Sequence, residues 1–288
     1  MKPLIFAAAL LLCTGAAQAQ PVLHAVGLES QYANVMAQIG GPYVMVSAIE
    51  SDPNADPHEF ELSPEVAARI YAADVIVANG LGYDGWADKL LANAHGSVIS
   101  AQAVLHLPDS TPNPHLWYGP ATMPAVARAV AAAYAAKDPA HAAQYEANEK
   151  AFEASLTPWQ EALAALKQHY AGAKIAVTEP VANDLLQAAG LTIATPFSLQ
   201  AAIMNGTDPA PQDVAAQMAL LTPGGARVLV YNSQVTDTLT ASFLARAKSA
   251  HLPVLGVYEL MPATAKSYQG WMESETAELA QDLAAGGQ

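Results

Sequence analysis

Two stretches decide the fold: PEVAARIYAADVIVANG, residues 64–80, and PQDVAAQMALLTPGGARVLVYNS, residues 211–233. Each starts on proline, runs through a short helical pattern and ends in a β-branched apolar run, ADVIVAN in one and ARVLVYN in the other. Proline suits the first turn of a helix because its missing N–H would have no partner there. Similar apolar runs recur at Val22–Val26, Val44–Ile49, Val75–Ala78, Ile175–Thr178, Val228–Tyr231 and Val254–Val257. Helical segments such as Pro64–Ala72 and Asp213–Leu221 separate them. Continuous β-branched runs alternating with helices imply parallel strands buried on both faces. The predicted class is α/β, with the echo marking two pseudo-related (β/α) lobes built on parallel sheets.

Between the two sets of strands lies DPAHAAQYEANEKAFEASLTPWQEALAALKQHYAG, residues 138–172. It is dense in strong helix formers and closes on Gly172, a stop signal. The run predicts a helix of about thirty residues, roughly 45 Å long. Pro158 inside it removes one backbone bond or kinks the rod. With no Gly/Ser linker, the lobes are expected to be joined by one long rigid helix. The expected division is residues 1–19 as a leader, 20–138 as the N-terminal lobe, 139–171 as the linking helix and 172–288 as the C-terminal lobe.

MKPLIFAAALLLCTGAAQAQ, residues 1–20, carries Lys2, an apolar run from Leu4 to Leu12 and small residues at Ala17 and Ala19. That pattern predicts a cleavable secretory signal with cutting after Ala19, so the mature protein is expected to be exported. Cys13 follows three leucines where lipid attachment favours a small residue, and it leaves with the leader. Some 270 residues without a disulfide must then be stabilised by one or two cores. Of 12 basic residues against 26 acidic ones, Lys2 lies in the leader, leaving 11 against 26. So acidic a chain lacks the basic footprint that nucleic acid requires. It is compatible with collecting cations, and equally with plain solubility.

Ligands of open α/β sheets bind at the carboxyl ends of the strands. The run Val44–Ile49 leads into SDPNADPHEFELSP, which carries His58; VISAQAVLHL leads into STPNPHLWYGP, which carries His115. KIAVTEP ends on Glu179, and PVLGVYELMP on Glu259, each with proline nearby. Two of these four come from each lobe. Two imidazoles and two carboxylates suit a divalent transition metal, and the adjacent prolines reduce the entropy lost on ordering the site. A single His or Glu in a loop is ordinarily a solvated residue, so a shared metal site and four separate exposed residues both stand at this point. His106 and Asp109 precede His115 as accessory candidates, and Asn232 and Gln234 in YNSQ lie at a further strand end, as orienting groups or a turn. HEFE at His58 lacks the second histidine of the helical zinc-protease motif, and no G-x-S-x-G elbow or phosphate-binding glycine loop is present. NGLGYDG, residues 79–85, reads as a turn, and Trp86, Trp117, Trp159 and Trp271 as packing residues.

These blocks resemble the periplasmic zinc and manganese receptors of bacterial ABC importers, the cluster 9 group. The likeness rests on Asp56–Pro57–His58, Ser63–Pro64–Glu65, ADVIVANGLGYDGW, NPHLWYGP, DPAHAAQYEAN and the closing SYQGWMESETAELAQDL, and so spans the mature chain. It implies two lobes, a joining helix, and Zn2+ or Mn2+ as cargo held by His58, His115, Glu179 and Glu259. The expected protein is a monomer that hands its metal ion to a membrane permease, is not an enzyme and binds no nucleic acid. Zinc-associated members often have histidine at the third position and manganese-associated ones glutamate then aspartate; Glu179 and Glu259 follow the carboxylate pattern. A long His-rich loop is lacking, and Asn113 stands where aspartate usually precedes Pro-His. Which metal is carried stays open, because zinc outbinds manganese at most such sites. Two other readings remain: a receptor for an organic solute or metal chelate, and an exported metallohydrolase with Glu59 or Glu61 as base, which needs an open coordination position.

Overall fold

A computed structural model describes residues 22–54, 57, 60–235 and 237–286. The leader with Cys13, and Asp56, His58 and Glu59, lie outside the described residues. In the first lobe, β1 (Leu23–Glu29), α1 (Ser30–Gly40), β2 (Val44–Glu50), α2 (Pro64–Ala72), β3 (Val75–Ala78), α3 (Asp88–Leu91), β4 (Ser97–Ser100), α4 (Ala101–Val104) and α5 (Thr122–Lys137) follow in turn. Next come α6 (Ala142–Ser155) and α7 (Thr157–Tyr170). The second lobe comprises β5 (Lys174–Val177), α8 (Asn183–Ala188), β6 (Thr192–Ile193), α9 (Phe197–Met204), α10 (Pro211–Leu220), β7 (Val228–Asn232), α11 (Thr238–Ser249), β8 (Val254–Val257) and α12 (Tyr268–Ala285).

The sheets are ordered β2-β1-β3-β4 and β6-β5-β7-β8, and every pairing is parallel. The two echoing segments become α2–β3 and α10–β7, so they fill the same third place in each sheet. Both helices carry proline in the first turn, and α2 is also capped by Ser63 Oγ, which accepts from Val66 N–H at 3.2 Å. The α/β reading therefore holds. The sequence pattern missed β4 and β6, which are short or mixed in polarity, and ended the first strand early: β1 continues to Glu29.

Residues 142–170 are helical except at Leu156. The break falls two residues before Pro158, which has no N–H to give to Ala154. The joining rod is thus a bent pair of helices rather than one straight one. It is clamped to the second lobe by α12, where Trp159 Nε1 donates to Thr276 Oγ1 at 3.0 Å.

One apolar cluster runs through both lobes, from Tyr32 and Val77 through Trp117, Trp159 and Val230 to Trp271 and Leu283. Two smaller clusters cover the outer faces, around Ile76 in the first lobe and Leu229 in the second. Trp117, Trp159 and Trp271 are fully buried packing residues, as expected. Among the described residues, no helix is long and apolar enough to cross a membrane.

Candidate metal centre

His115 opens the turn that follows Pro114, and Glu259 lies just past β8; both are 0 % exposed. His115 Nε2 stands 3.4 Å from Glu259 Oε2, so one imidazole of the first lobe faces one carboxylate of the second. Asn113 fixes the ring. Its Oδ1 accepts the backbone N–H of His115 at 3.2 Å, which identifies that atom as the amide oxygen, and it lies 2.9 Å from Nδ1. An amide oxygen only accepts, so Nδ1 carries a hydrogen and Nε2 is the ring nitrogen that faces Glu259.

Glu259 is held from several sides. Oε1 accepts from Asn232 Nδ2 at 2.6 Å and Oε2 from the Tyr83 hydroxyl at 2.8 Å. Gln234 Oε1 accepts the backbone N–H groups of Glu259 (2.5 Å) and Leu260 (2.8 Å), while its Nε2 donates to Pro53 O at 3.0 Å. One amide therefore ties the Glu259 loop to the loop that leads to His58. Asn232 and Gln234 are orienting groups, and their turn geometry serves that end: Asn232 Oδ1 accepts from Gln234 N–H at 3.0 Å. From α1, Gln31 Nε2 donates to Glu259 O at 3.0 Å and Ser30 Oγ accepts from Met261 N–H at 3.0 Å. Helix α1 sits close enough for this because residue 27 is glycine; a Cβ there would lie 2.4 Å from Ala33 N.

Glu179 is buried two residues beyond β5, on a segment where Thr178 Oγ1 accepts from Asn232 N–H at 3.2 Å. His115 and Glu259 are brought together; among the described residues no group of three His, Cys, Asp or Glu is disposed to hold a metal ion. His58 lies outside the described residues. His106 and Asp109 are exposed, and Asp109 Oδ1 accepts from Gln102 Nε2 at 2.7 Å.

Sequence reading missed Tyr83. The turn it occupies was legible: Gly80, Leu81 and Gly82 all have positive φ, at 87°, 55° and 77°. That left-handed run delivers Tyr83 to Glu259 and Asp84 to the backbone N–H groups of Asn79 (2.6 Å) and Gly80 (3.0 Å). Also missed were Glu29 and Glu50, in register at the ends of β1 and β2 and both buried. Glu50 Oε1 accepts from Trp86 Nε1 at 2.7 Å, whereas neither carboxyl oxygen of Glu29 has a hydrogen-bond partner. Burial, then the charges of Asp84 and Glu50, hold the Glu29 pKa well above the ordinary carboxylate range. Burial, followed by the charges of Glu259, Glu50 and Glu29, likewise keeps Tyr83 a neutral phenol.

Paired parallel sheets on a shared core, with polar side chains of both meeting at the seam, define a two-lobed α/β protein. The chain belongs to the ZnuA family, zinc-uptake complex component A, periplasmic, whose family model matches residues 29–282. It is 28% identical over 159 residues to the metal ABC transporter substrate-binding lipoprotein SloC of Streptococcus mutans, an alignment covering 50% of this chain and 52% of SloC. Identity to the iron-binding protein YfeA of Yersinia pestis is 25% over 127 residues, covering 41% of this chain and 40% of YfeA. The chain spans about half the length of the curated relatives it matches. Among solved structures, FpvC from Pseudomonas aeruginosa in complex with Mn2+ superposes with a TM-score of 0.75 at 19% identity, covering 93% of this chain and 100% of FpvC. A crystal structure of ZnuA gives 0.72 at 22% identity, over 91% and 99%. These likenesses establish the fold.

Proposed function

We propose that the chain is a periplasmic receptor that captures a divalent metal ion, zinc or manganese, and delivers it to the membrane permease of an ABC importer. The observation that carries this reading is the buried His115–Glu259 pair, an oriented imidazole Nε2 facing a carboxylate across the lobe seam at 3.4 Å. Neutral imidazoles of His58 and His115 and carboxylates of Glu179 and Glu259 make a charge-neutral set for a 2+ ion. SloC and YfeA are described as metal-binding or iron-binding proteins, which supports cargo of this class.

The working division is a leader at 1–19, a first lobe at 20–138, a joining segment at 139–171 and a second lobe at 172–288, acting as a monomer. Because α7 and α12 brace the joint, release proceeds through small lobe tilts or loop movements rather than a wide hinge.

Elemental analysis of protein from metal-replete cells tests the proposal, with His115→Ala beside it. Wild type is expected to carry about one equivalent of zinc or manganese and the variant little, because losing one ligand of a four-ligand set removes most of the affinity. Binding is expected to release protons and to weaken in acid, because metal ligands must be deprotonated to bind. An empty wild type, or a variant that loads equally well, refutes it.

A further inference from the structure

The Tyr118 hydroxyl makes more contacts than one hydrogen can serve. It lies 2.9 Å from Tyr258 O, 2.8 Å from Glu275 Oε2, and accepts from Tyr258 N–H at 3.2 Å. A phenol has one hydrogen to donate. If Glu275 is a carboxylate, it and the Tyr258 carbonyl compete for that hydrogen, and one of the two is left facing a lone pair. If Glu275 is a carboxylic acid, every contact is satisfied. Its O–H donates to Tyr118, Tyr118 donates to the Tyr258 carbonyl, and the Tyr258 N–H donates back to Tyr118. The other carboxyl oxygen, Oε1, accepts from Trp271 Nε1 at 2.6 Å in either state.

The contacts span the lobes. Tyr118 ends the turn that begins at His115, Tyr258 directly precedes Glu259, and Glu275 lies on α12. We propose that Tyr118 and the neutral acid of Glu275 are positioning residues for the metal centre, clamping the segment that bears Glu259 to the loop that bears His115. The inference rests on the metal reading of that centre.

The surroundings agree with a neutral acid. Tyr118, Trp271 and Tyr268 enclose the carboxyl group and are fully or almost fully buried. Glu278 adds like charge from the same helix, and Lys266 lines the groove outside without an ion pair to Glu275. Burial foremost, with Glu278 adding to it against the Trp271 and Tyr118 hydrogen bonds, raises the Glu275 pKa to about 8. Tyr118 itself is held well above its ordinary value, chiefly by burial and then by Glu275, so it keeps its hydrogen. A groove of about 510 Å³, lined by Tyr258, Lys266, Trp271, Glu275 and Glu278, gives the proton a way out to solvent. Gln31 and Ser30 also grip residues 259–261 but carry no titrating group, so the Tyr118 link is the proton-sensitive part of this grip.

The test is a competition titration of Mn2+ against a fluorescent chelator, oxygen excluded, between about pH 7 and 9, with infrared spectra of the metal-free protein in parallel. Wild type is expected to show a neutral carboxyl band at neutral pH that fades through about pH 8, and metal affinity that falls over the same interval. Glu275→Gln replaces the acid O–H by an amide donor and keeps an acceptor for Trp271. It should lose that band and its alkaline fall. Tyr118→Phe should lower affinity on the order of tenfold at all pH values, the effect of about two lost hydrogen bonds, and leave no alkaline step. The inference is overturned by an unchanged alkaline fall in Glu275→Gln, by no neutral carboxyl band at pH 7, or by full affinity in Tyr118→Phe. Wild type that binds no divalent metal defeats the metal reading instead, and the infrared band still reports the state of Glu275. Should Glu275→Gln fail to fold, the wild-type spectra and the Tyr118→Phe titration decide.

Discussion

The two lobes share one strand order yet prepare their strand ends in opposite ways. In the second lobe, Glu259 sits in a mesh of neutral partners: Asn232 and Tyr83 donate to its oxygens, Gln31 donates to its carbonyl and Gln234 accepts its N–H. In the first lobe, the ends of β1 and β2 set Glu29 beside Glu50 with Asp84 near, and among the described residues the Glu29 carboxyl oxygens have no hydrogen-bond partner. One lobe offers a carboxylate whose position is fixed; the other crowds acidic groups so closely that Glu29 holds its proton. The same topology thus prepares its strand ends by hydrogen bonding on one side and by protonation on the other, and the single imidazole described at the seam, His115, is fixed by its own Asn113.

If the lobes are one folding unit despite this difference, the core that joins them should fail as a whole. Trp159 on α7 is fully buried and reaches α12 through Thr276. Trp159→Ala removes the indole and strands the Thr276 hydroxyl, at a cost of about 3–5 kcal/mol. Thermal unfolding by calorimetry should show one transition shifted down by more than about 6 °C, since a 250-residue chain moves some 2–4 °C per kcal/mol. Two separate transitions, with only one displaced, would mean that each lobe stands by itself.

The fixed side is probed at Tyr83. Tyr83→Phe removes the donor to Glu259 Oε2 and leaves the ring contacts with His115 and Trp117 in place. Outer donors to a metal-ligating group typically contribute 10–100-fold in affinity, so a drop of about tenfold is expected with little change in unfolding temperature. His106→Ala serves as the control, because His106 is exposed on its loop, and its Mn2+ affinity should match wild type.

Periodicity made the sheets legible, because β-branched runs and proline-opened helices are local features. Glu259 was legible because it follows the apolar run Val254–Val257, and His115 because it sits in a Pro-His loop like that of His58. What surrounds them was not. Tyr83 meets Glu259 across 176 residues, and Gln31 meets it across 228. No local pattern separates those side chains from surface tyrosines and glutamines. The break at Leu156 lay between, since Pro158 announced a lost bond but not which turn would yield. Glu29 was overlooked because the apolar run stops at Val26 while β1 continues: Gly27 and Leu28 are tolerated where the backbone still pairs with β2. Register across strands, which sequence does not reveal, is what turned two unremarked glutamates into a buried pair.

That pair yields the smallest effect and the clearest sign. The folded state raises the Glu29 pKa, first by burial and then through Asp84 and Glu50, so it holds the proton more tightly than the unfolded chain does. Stability from this group is complete below the ordinary carboxylate value of 4.5 and declines as pH rises above it towards the raised folded value. Glu29→Gln keeps the shape and removes the titration. Near pH 4 the variant and wild type should unfold at similar temperatures; near pH 8 the variant should be the more stable, by about 1 kcal/mol or some 2–4 °C. A difference that stays constant with pH would show that Glu29 titrates alike in the folded and unfolded states, and that the first lobe holds its strand ends no differently from the second.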